Sequence, residues 1–527
     1  MNCGIFECIN ILLISACAVV SATRQYHMLQ QNSYFISRYF GWLRTSGDAF
    51  LWGCMIVDVF VKALLVFIPG IHPAFLTGYC AFSLFVLVVH TRSVQKKAIK
   101  KLVVTARVKR MYLTASLLCL LAGAATLLFD TVWVYFMVLL LIFSFSPILS
   151  VLSVVVNEPI EKSVRTYYIN DAKKKLRSMN NLTVFGVTGS YGKTSSKYVL
   201  ERILSEKYNV CMTPGNLNTP LGVVRTIRKN LTPECNVFIC EMGAKNIGDI
   251  KEICDIVHPD LGIITSVGPQ HLSTFKTVEN VAATKFELAD AVVESGGKVF
   301  LNSDSKPIEE RASSYASITY GVESKADVRA ENITCSREGS SFDVFIGERS
   351  FRVSTKLLGK HNVLNVLGAV AAADYMGVSD DRIKFALSRL VPIEHRLQLK
   401  PFLNGSVLID DAYNSNPEGS KEAVSVLGSF EGMQKIIVTP GMVELGEKEY
   451  SENYDLGLKI ADVCDRVLLV GEKRAVPFVD ALTASGYDMS KVTVCPSFKD
   501  AMKVLSVECS RDTAVLFEND LPDNYAG

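Results

Sequence analysis

The stretch LTVFGVTGSYGKTSSKYVLERILSEK, Leu182 to Lys207, decides how the second half of this chain is read. LTVFGV is a short run rich in β-branched and aromatic residues, the pattern of a buried strand, and SSKYVLERILSEK carries its apolar residues at helical spacing. Between them sits TGSYGKTS, Thr188 to Ser195. Gly186, Gly189 and Gly192 let the backbone turn tightly and aim its amides at one point, where the following helix also presents its positive end. Such a loop cradles phosphate. Lys193 would reach the β- and γ-phosphates of ATP and Thr194 would ligate magnesium, with Gly189, Ser190, Gly192 and Ser195 lining the loop. The spacing is a variant of the strict pattern, because position 187 is valine and the glycine lies one residue earlier.

From Asn181 onward, short β-rich runs alternate with helical stretches, which predicts α/β units around parallel sheets. The strand NVFICE ends in Glu241, and a carboxylate at a strand's carboxyl end can hold magnesium facing the loop. After Arg396 the runs SVLIDDAY, KIIVTP, DRVLLV and TAVLF alternate with helices in a smaller Rossmann-like unit. It has no Gly-x-Gly-x-x-Gly, so nothing there points to a bound dinucleotide.

The first 156 residues have a different texture. Apolar runs lie near Ile5 to Ala22, Phe50 to Ile71, Ala74 to His90, Tyr112 to Phe129 and Val132 to Val156. Each is close to the ~20 residues that span a bilayer, so five transmembrane helices are expected. The first run lacks a basic flank, and four more follow it, which argues against a cleaved signal peptide. Basic residues mark the cytoplasmic side. They crowd between runs one and two (Arg24, Arg38, Arg44), between three and four (Arg92 to Arg110) and after run five (Lys162 to Arg177), whereas the short loops near His72 and Asp130 carry none. The expected topology is a multi-pass protein of a bacterial-type plasma membrane, with its amino terminus outside and the carboxyl-terminal part cytoplasmic. The segment from Arg92 to Arg110 serves as a topology signal and could also meet anionic headgroups. Asp58 and Lys62, four residues apart in the second run, share a helical face and are expected to pair.

Composition sets outer bounds. The 55 Lys plus Arg against 53 Asp plus Glu make no electrostatic case for a nucleic-acid partner. The 14 cysteines are scattered without Cys-x-x-Cys or metal-ligand spacing, as expected of reduced, mostly buried thiols. The expected division is a membrane domain at 1–156, a central ATP-binding domain at 157–394 and a carboxyl-terminal domain at 395–527.

Nine strings arrive in one order: GVTGSYGKTS, GNLNTPLGV, EMGAKNIGDI, TSVGPQHLSTF, AATKFEL, GKHNVLNVLGAVAAA, EHR, DDAYNSNP and PGMVELGE. Together they resemble the Mur ligases from about Asn181 to Val470, and EMGA, DDAYNSNP and GMVELGE fit the D-alanyl-D-alanine-adding branch. The resemblance implies a central ATPase domain and a Rossmann-like carboxyl-terminal domain. It also implies ATP-dependent phosphorylation of a carboxylate to an acyl phosphate, which the amine of an amino acid or dipeptide then attacks. Thr194 and Glu241 correspond to magnesium ligands and His271 to the histidine at a second metal. Lys285 corresponds to the lysine that the family carbamylates, and a carbamate would add an anion beside the metal. Lys193, His271 and Lys285 are thus the expected catalytic set. Asn362 and Asn365, at the start of an alanine-rich helix, correspond to nucleotide contacts, and Arg396 and Asp411 to residues reaching ATP from the carboxyl-terminal domain. Asn414, Asn416 and Glu444 fall in motifs that receive the incoming amino acid or dipeptide.

Two departures bear on the substrate. Where the family has a soluble amino-terminal domain that grips a uridine nucleotide, this sequence has the apolar runs. Near the end it reads LFENDLPDNY, Leu516 to Tyr525, where the family has a string closer to Lys-Gly-Ser-Arg. The expected acceptor is a carboxylate on a cell-envelope precursor, lipid-linked in one reading. A membrane poly-γ-glutamate-type synthase and a catalytically silent membrane scaffold are the alternatives. Retention of Lys193, Glu241, His271 and Lys285 together opposes silence.

Overall fold

The computed structural model describes residues 5–45, 49–68, 72–97, 101–128, 133–270, 272–336, 339–392, 394–412, 417–443 and 445–519. It forms two compact units, Met1–Tyr167 and Tyr168–Gly527. The expected boundary at 156 falls inside the helix Ser146–Arg177.

The first unit is helical. Its central helix, Ile5–Gln31, packs against Pro73–Lys97, Ala106–Leu128 and Trp133–Ser144. Small residues permit this close approach: Ala18, Ala22, Ala115 and Ala122 are buried, and a Cβ at Gly123 would lie 2.2 Å from Ile11 Cγ2. The buried Tyr26 hydroxyl donates to the Met111 carbonyl at 3.1 Å and meets Ser153 Oγ at 3.1 Å, so it leaves no orphaned polar group in an apolar core. Outward-facing Phe60, Phe75, Phe82, Phe85 and Leu121 are 61–68% exposed, as suits a hydrocarbon surrounding rather than water.

Three helices, Ile5–Gln31, Pro73–Lys96 and Ala106–Leu128, are long and apolar enough to cross a membrane. The fifth expected run is not one straight rod. It breaks at Phe145 into Trp133–Ser144 and Ser146–Arg177, bent by 95°, and counting that pair as one span makes four. Pro147 explains the break, since it lacks an amide hydrogen and suits the first turn of a new helix. The second expected run is the 19-residue helix Ala49–Phe67, which carries the pair Asp58 and Lys62. A short helix, Ile36–Thr45, lies outside the expected runs.

Lys62 is fully buried, with Nζ 2.5 Å from Asp58 Oδ2. The other carboxylate oxygen accepts from Tyr79 Oη at 3.1 Å and Ser83 Oγ at 2.8 Å, both on the helix Pro73–Lys97. The pair therefore ties two helices together.

The second unit is α/β. Its first sheet comprises β1 (Thr183–Thr188), β2 (Val210–Met212), β3 (Val237–Glu241), β4 (Leu261–Ile264), β5 (Lys298–Asn302), β6 (Ser317–Gly321), β7 (Val328–Ser336), β8 (Gly339–Ile346) and β9 (Arg349–Thr355). The spatial order is β2-β3-β1-β4-β5-β6-β7-β8-β9. Strands β1 to β7 run parallel, and β8 and β9 extend the sheet as an antiparallel hairpin. That hairpin departs from the expected all-parallel pattern, and Gly347 at φ 58° lets the chain reverse between its strands.

Alternate residues explain why both faces of the sheet are covered. Phe185, Val187, Ile239 and Ile263 point to a core with Val199, Leu200 and Val366, while Val184, Phe238, Cys240 and Ile264 point to one with Ile250, Phe286 and Leu288. The helix Lys360–Tyr375 is buried along nearly its whole length, because its run of alanines lets it press against the helix Lys193–Leu204 and the sheet.

The second sheet holds β10 (Gln398–Pro401), β11 (Val407–Asp411), β12 (Gln434–Thr439), β13 (Arg466–Val470), β14 (Val492–Cys495) and β15 (Thr513–Glu518) in the order β10-β11-β15-β12-β13-β14. Only β10 is antiparallel within it. This is the smaller Rossmann-like unit expected from the alternating runs.

Asp58→Asn leaves Lys62 buried without its counter-charge and is expected to destabilise the helical unit by about 3 kcal/mol. Asp58→Asn combined with Lys62→Met is expected to recover most of that loss. Thermal unfolding of the detergent-purified full-length protein checks both, and an unchanged melting temperature in the single variant would exclude a structural role for the pair.

Candidate active site

The site starts from the turn after β1. Gly189 has φ 153° and Gly192 has φ 79°, both in the left-handed region that glycine tolerates. Gly192 caps the helix Lys193–Leu204. The loop is clamped against the segment after β4: Ser190 N donates to the Ser266 carbonyl at 2.7 Å, Tyr191 N to Ser266 Oγ at 2.9 Å, and Gly268 N to Ser190 Oγ at 3.0 Å. Ser195 is buried in the first turn of the helix.

Lys193 folds back over the loop, its Nζ donating to the carbonyls of Gly189 at 2.7 Å and Ser190 at 2.8 Å. Removal from water pulls its ammonium down to about 8, against the attraction of Glu241 and with the help of Arg396. Thr194 Oγ1 donates to Glu241 Oε1 at 3.2 Å, so the hydroxyl at the helix start faces the carboxylate at the end of β3. Asn218 Nδ2 donates to the same oxygen at 3.0 Å. Glu241 Oε2 is buried without a hydrogen bond and lies 3.0 Å from Lys197 Nζ in an ion pair.

Lys285 sits on the helix Val278–Glu294 and is 1% exposed. Burial pushes its amine down to about 7, and repulsion from Lys193 adds to that, while Asp249 and Glu287 oppose it. Lys285 is thus near enough to Lys193 for the two charges to repel.

Asn362 and Asn365 are buried at the start of the alanine-rich helix. Asn365 Oδ1 accepts from Ser196 Oγ at 3.1 Å, and Asn365 Nδ2 meets Asn362 Oδ1 at 3.4 Å, which ties this helix to the one after the loop. Ser195, Asn362 and Arg396 line a cavity of about 320 Å³ with Tyr198, Arg389 and Leu390. A larger cavity of about 530 Å³, between Glu331, Asn332, Glu422 and Ser425, touches none of the phosphate-loop residues.

Asp411 ends β11 and accepts from Leu397 N at 3.1 Å. Its carboxyl is raised to about 7, chiefly by burial and next by Glu518, against the Leu397 amide and Arg396. Glu518 begins the departure noted at the chain's end. It is fully buried, taking hydrogen bonds from Ser420 Oγ and Thr439 Oγ1, each at 2.7 Å. Asn519 follows at φ 66°, a conformation in which asparagine can stand for glycine.

Lys193, Thr194, Glu241 and Lys285 are therefore brought together, and Ser195, Asn362 and Arg396 share one cavity beside them. His271, Asn414, Asn416 and Glu444 lie outside the described residues. Among the described residues no group of three His, Cys, Asp or Glu side chains could hold a metal ion. The oxygen pair of Thr194 Oγ1 and Glu241 Oε1 nevertheless fits magnesium, a hard cation that takes oxygen ligands. Sequence reasoning missed Lys197 and Asn218. Lys197 stands one helical turn after Lys193, which was the available signal.

Family models match two segments: the Mur ligase middle domain over residues 187–373, and the Mur ligase glutamate ligase domain over residues 395–518. The UDP-N-acetylmuramoyl-tripeptide--D-alanyl-D-alanine ligase of Bacillus subtilis is 30% identical over 337 residues, 64% of this chain and 72% of that protein. The Escherichia coli protein of the same name is 32% identical over 296 residues, 55% of this chain and 65% of its own length. Among solved structures, the MurF ligase from Thermotoga maritima in complex with ADP is similar with a TM-score of 0.61 and 26% identity, covering 68% of this chain and 80% of that one. MurF from Acinetobacter baumannii is similar with a TM-score of 0.60 at 26% identity, covering 68% and 77%. With matches to both domains in sequence order, a relative covered over most of its length and neighbours of the same fold, the chain belongs to the Mur ligases, a family of ATP-dependent ligases that form amide bonds.

Proposed function

We propose that this chain is a membrane-bound, ATP- and magnesium-dependent ligase that joins a carboxylate on a peptidoglycan-type precursor to an amino acid or dipeptide such as D-alanyl-D-alanine. The convergence of Lys193, Thr194, Glu241 and Lys285 at the carboxyl ends of β1 and β3 carries this reading. A carboxylate oxygen attacks the γ-phosphorus, ADP leaves, and the incoming amine then displaces phosphate from the acyl carbon. Lys193 swings from its two carbonyls onto the β- and γ-phosphates and offsets charge that grows as ADP departs. Gly189, Gly192 and the positive start of the helix Lys193–Leu204 hold the phosphates, with Ser190 clamping the loop to Ser266. Thr194 and Glu241, with His271 at a second position, would hold magnesium, whose positive charge would offset the negative charge of the phosphates. Asn362 and Ser195 bound the nucleotide's cavity, Asn365 buttresses Asn362, and Arg396 and Asp411 close the cavity from the carboxyl-terminal domain. Asn414, Asn416 and Glu444 contact the incoming amino acid or dipeptide.

Lys285 is read as the carbamylated lysine. An amine lowered to about 7 is substantially free near neutrality, and only the free amine adds to carbon dioxide. The resulting carbamate would turn a cation beside Lys193 into an anion.

The helical unit is read as five membrane crossings, with the amino terminus outside and the ligase domains cytoplasmic, following the Lys and Arg asymmetry of the loops. In the family the region before the central domain selects the acceptor. An acceptor anchored in the bilayer would need no soluble uridine pocket, because confinement raises its effective concentration. The proposed acceptor is therefore lipid-linked.

Lys193→Ala is expected to lower ligation by about 10³-fold or more with folding intact. Amine-dependent phosphate release by the full-length protein measures this, and a near wild-type rate excludes the phosphate-loop assignment. Lys285→Ala is expected to lose most activity and to regain part of it in added acetate or formate, whose oxygens replace those of the carbamate. Full activity in that variant without added carboxylate contradicts the modification. A chain beginning at Asn157 is expected to keep amine-dependent ATP turnover on a soluble carboxylate at high concentration and to lose efficiency on a lipid-linked one. Equal efficiency of the shortened and full-length proteins on the lipid-linked acceptor rules out acceptor recognition by the helical unit.

A further inference from the structure

Lys197 is completely buried, and its ammonium has only fixed partners. Nζ donates to the carbonyl of Thr213 at 2.8 Å and of Gly215 at 2.7 Å, and it stands 3.0 Å from Glu241 Oε2. Thr213 closes the circle, because its hydroxyl accepts from Glu241 N at 3.0 Å. Asn218, from the same loop, donates to the opposite carboxylate oxygen at 3.0 Å, while its backbone carbonyl accepts from Gly243 N at 2.8 Å. Glu241 is thus held from its backbone, from Asn218 on one oxygen and from Lys197 on the other. A buried ammonium is costly to desolvate, and two hydrogen-bonded carbonyls plus a carboxylate are what compensate it.

We propose that Lys197 is a positioning residue for the nucleotide-bound magnesium: it does not touch ATP, but it locks the Glu241 carboxylate and the loop from Thr213 to Asn218 into one orientation. This rests on the reading of Thr194 and Glu241 as magnesium ligands. Side chains that orient a ligating group influence metal binding through geometry, and their loss costs about 10- to 100-fold in metal affinity or activity. The sequence places Lys197 one turn beyond Lys193 on the same helix, so one helix would deliver both the lysine that meets phosphate and the lysine that orients the metal's carboxylate.

The test is ADP binding by the full-length protein, measured by calorimetry with magnesium and again with EDTA. The ratio of the two affinities is the magnesium coupling. Lys197→Met is expected to reduce this coupling by about ten-fold or more while leaving the EDTA affinity unchanged. Lys197→Arg keeps the buried positive charge, and with it the fold, but replaces a point ammonium by a planar fork, and is expected to reduce the coupling by a smaller factor. If Lys197→Met fails to fold, the Arg variant alone decides. Wild-type coupling in either folded variant overturns the proposal, as does an equal fall in both affinities, which would mean a general collapse of the loop. Absence of magnesium-coupled ADP binding in the unsubstituted protein overturns the magnesium reading itself, and the role of Lys197 with it.

Discussion

The phosphate loop leaves no room for a side chain between itself and the elements behind it, and much of the second unit follows from that constraint. A Cβ at Gly189 would lie 2.0 Å from Thr265 Oγ1, and one at Gly192 would lie 2.3 Å from Asn365 Oδ1. The first contact brings the end of β4 up against the loop. The second brings in the alanine-rich helix through the buried Asn365 near its start. Strand, loop and two helices therefore meet within van der Waals distance, and the start of the helix Lys193–Leu204 lies at the loop, where its positive end can meet phosphate.

Charge is arranged around that point with little help from solvent. Glu241 and Lys197 are 1% and 0% exposed, and Lys285 is as deeply buried. An isolated charge in such a place would be untenable, so each is tied to another group or driven toward neutrality. Glu241 takes the first route, through Lys197, Thr194 and Asn218. Lys285 takes the second: its amine falls to about 7 because it faces Lys193 and little water. The same burial that destabilises the ammonium makes Lys285 a reactive amine, which connects its packing to the modification proposed for it.

Three helices of the first unit are long and apolar enough to cross a membrane. Large apolar side chains such as Phe75, Phe82 and Phe85 face outward there, and the buried Lys62 is neutralised within its own helix by Asp58, on which Tyr79 and Ser83 of the next helix act in turn. Glu518 is absorbed by Ser420 and Thr439, so the residue that begins the departure from the family's terminal string serves the packing of the second sheet in this chain.

Local patterns in the sequence determined the parts that depend on local physics. Strand, glycine turn and helix around Gly189 to Lys193 were legible because a tight turn needs glycine and a buried strand needs an unbroken apolar run. The pairing of Asp58 with Lys62 was legible from their four-residue spacing, and the Rossmann-like alternation after Arg396 from its period. What depends on distant segments was not. The bend at Phe145 was hidden inside a run of continuous apolarity, where hydropathy averages over the proline that causes it. The hairpin of β8 and β9 was not legible, since strand direction is set by pairing and not by composition. Lys197 read as an ordinary helix lysine, because its partners Thr213, Gly215 and Glu241 lie 16 to 44 positions further along the chain. Only the parallel stacking of β2, β3 and β1 brings those carbonyls and that carboxylate around one ammonium, and only burial turns such a meeting into a fixed orientation.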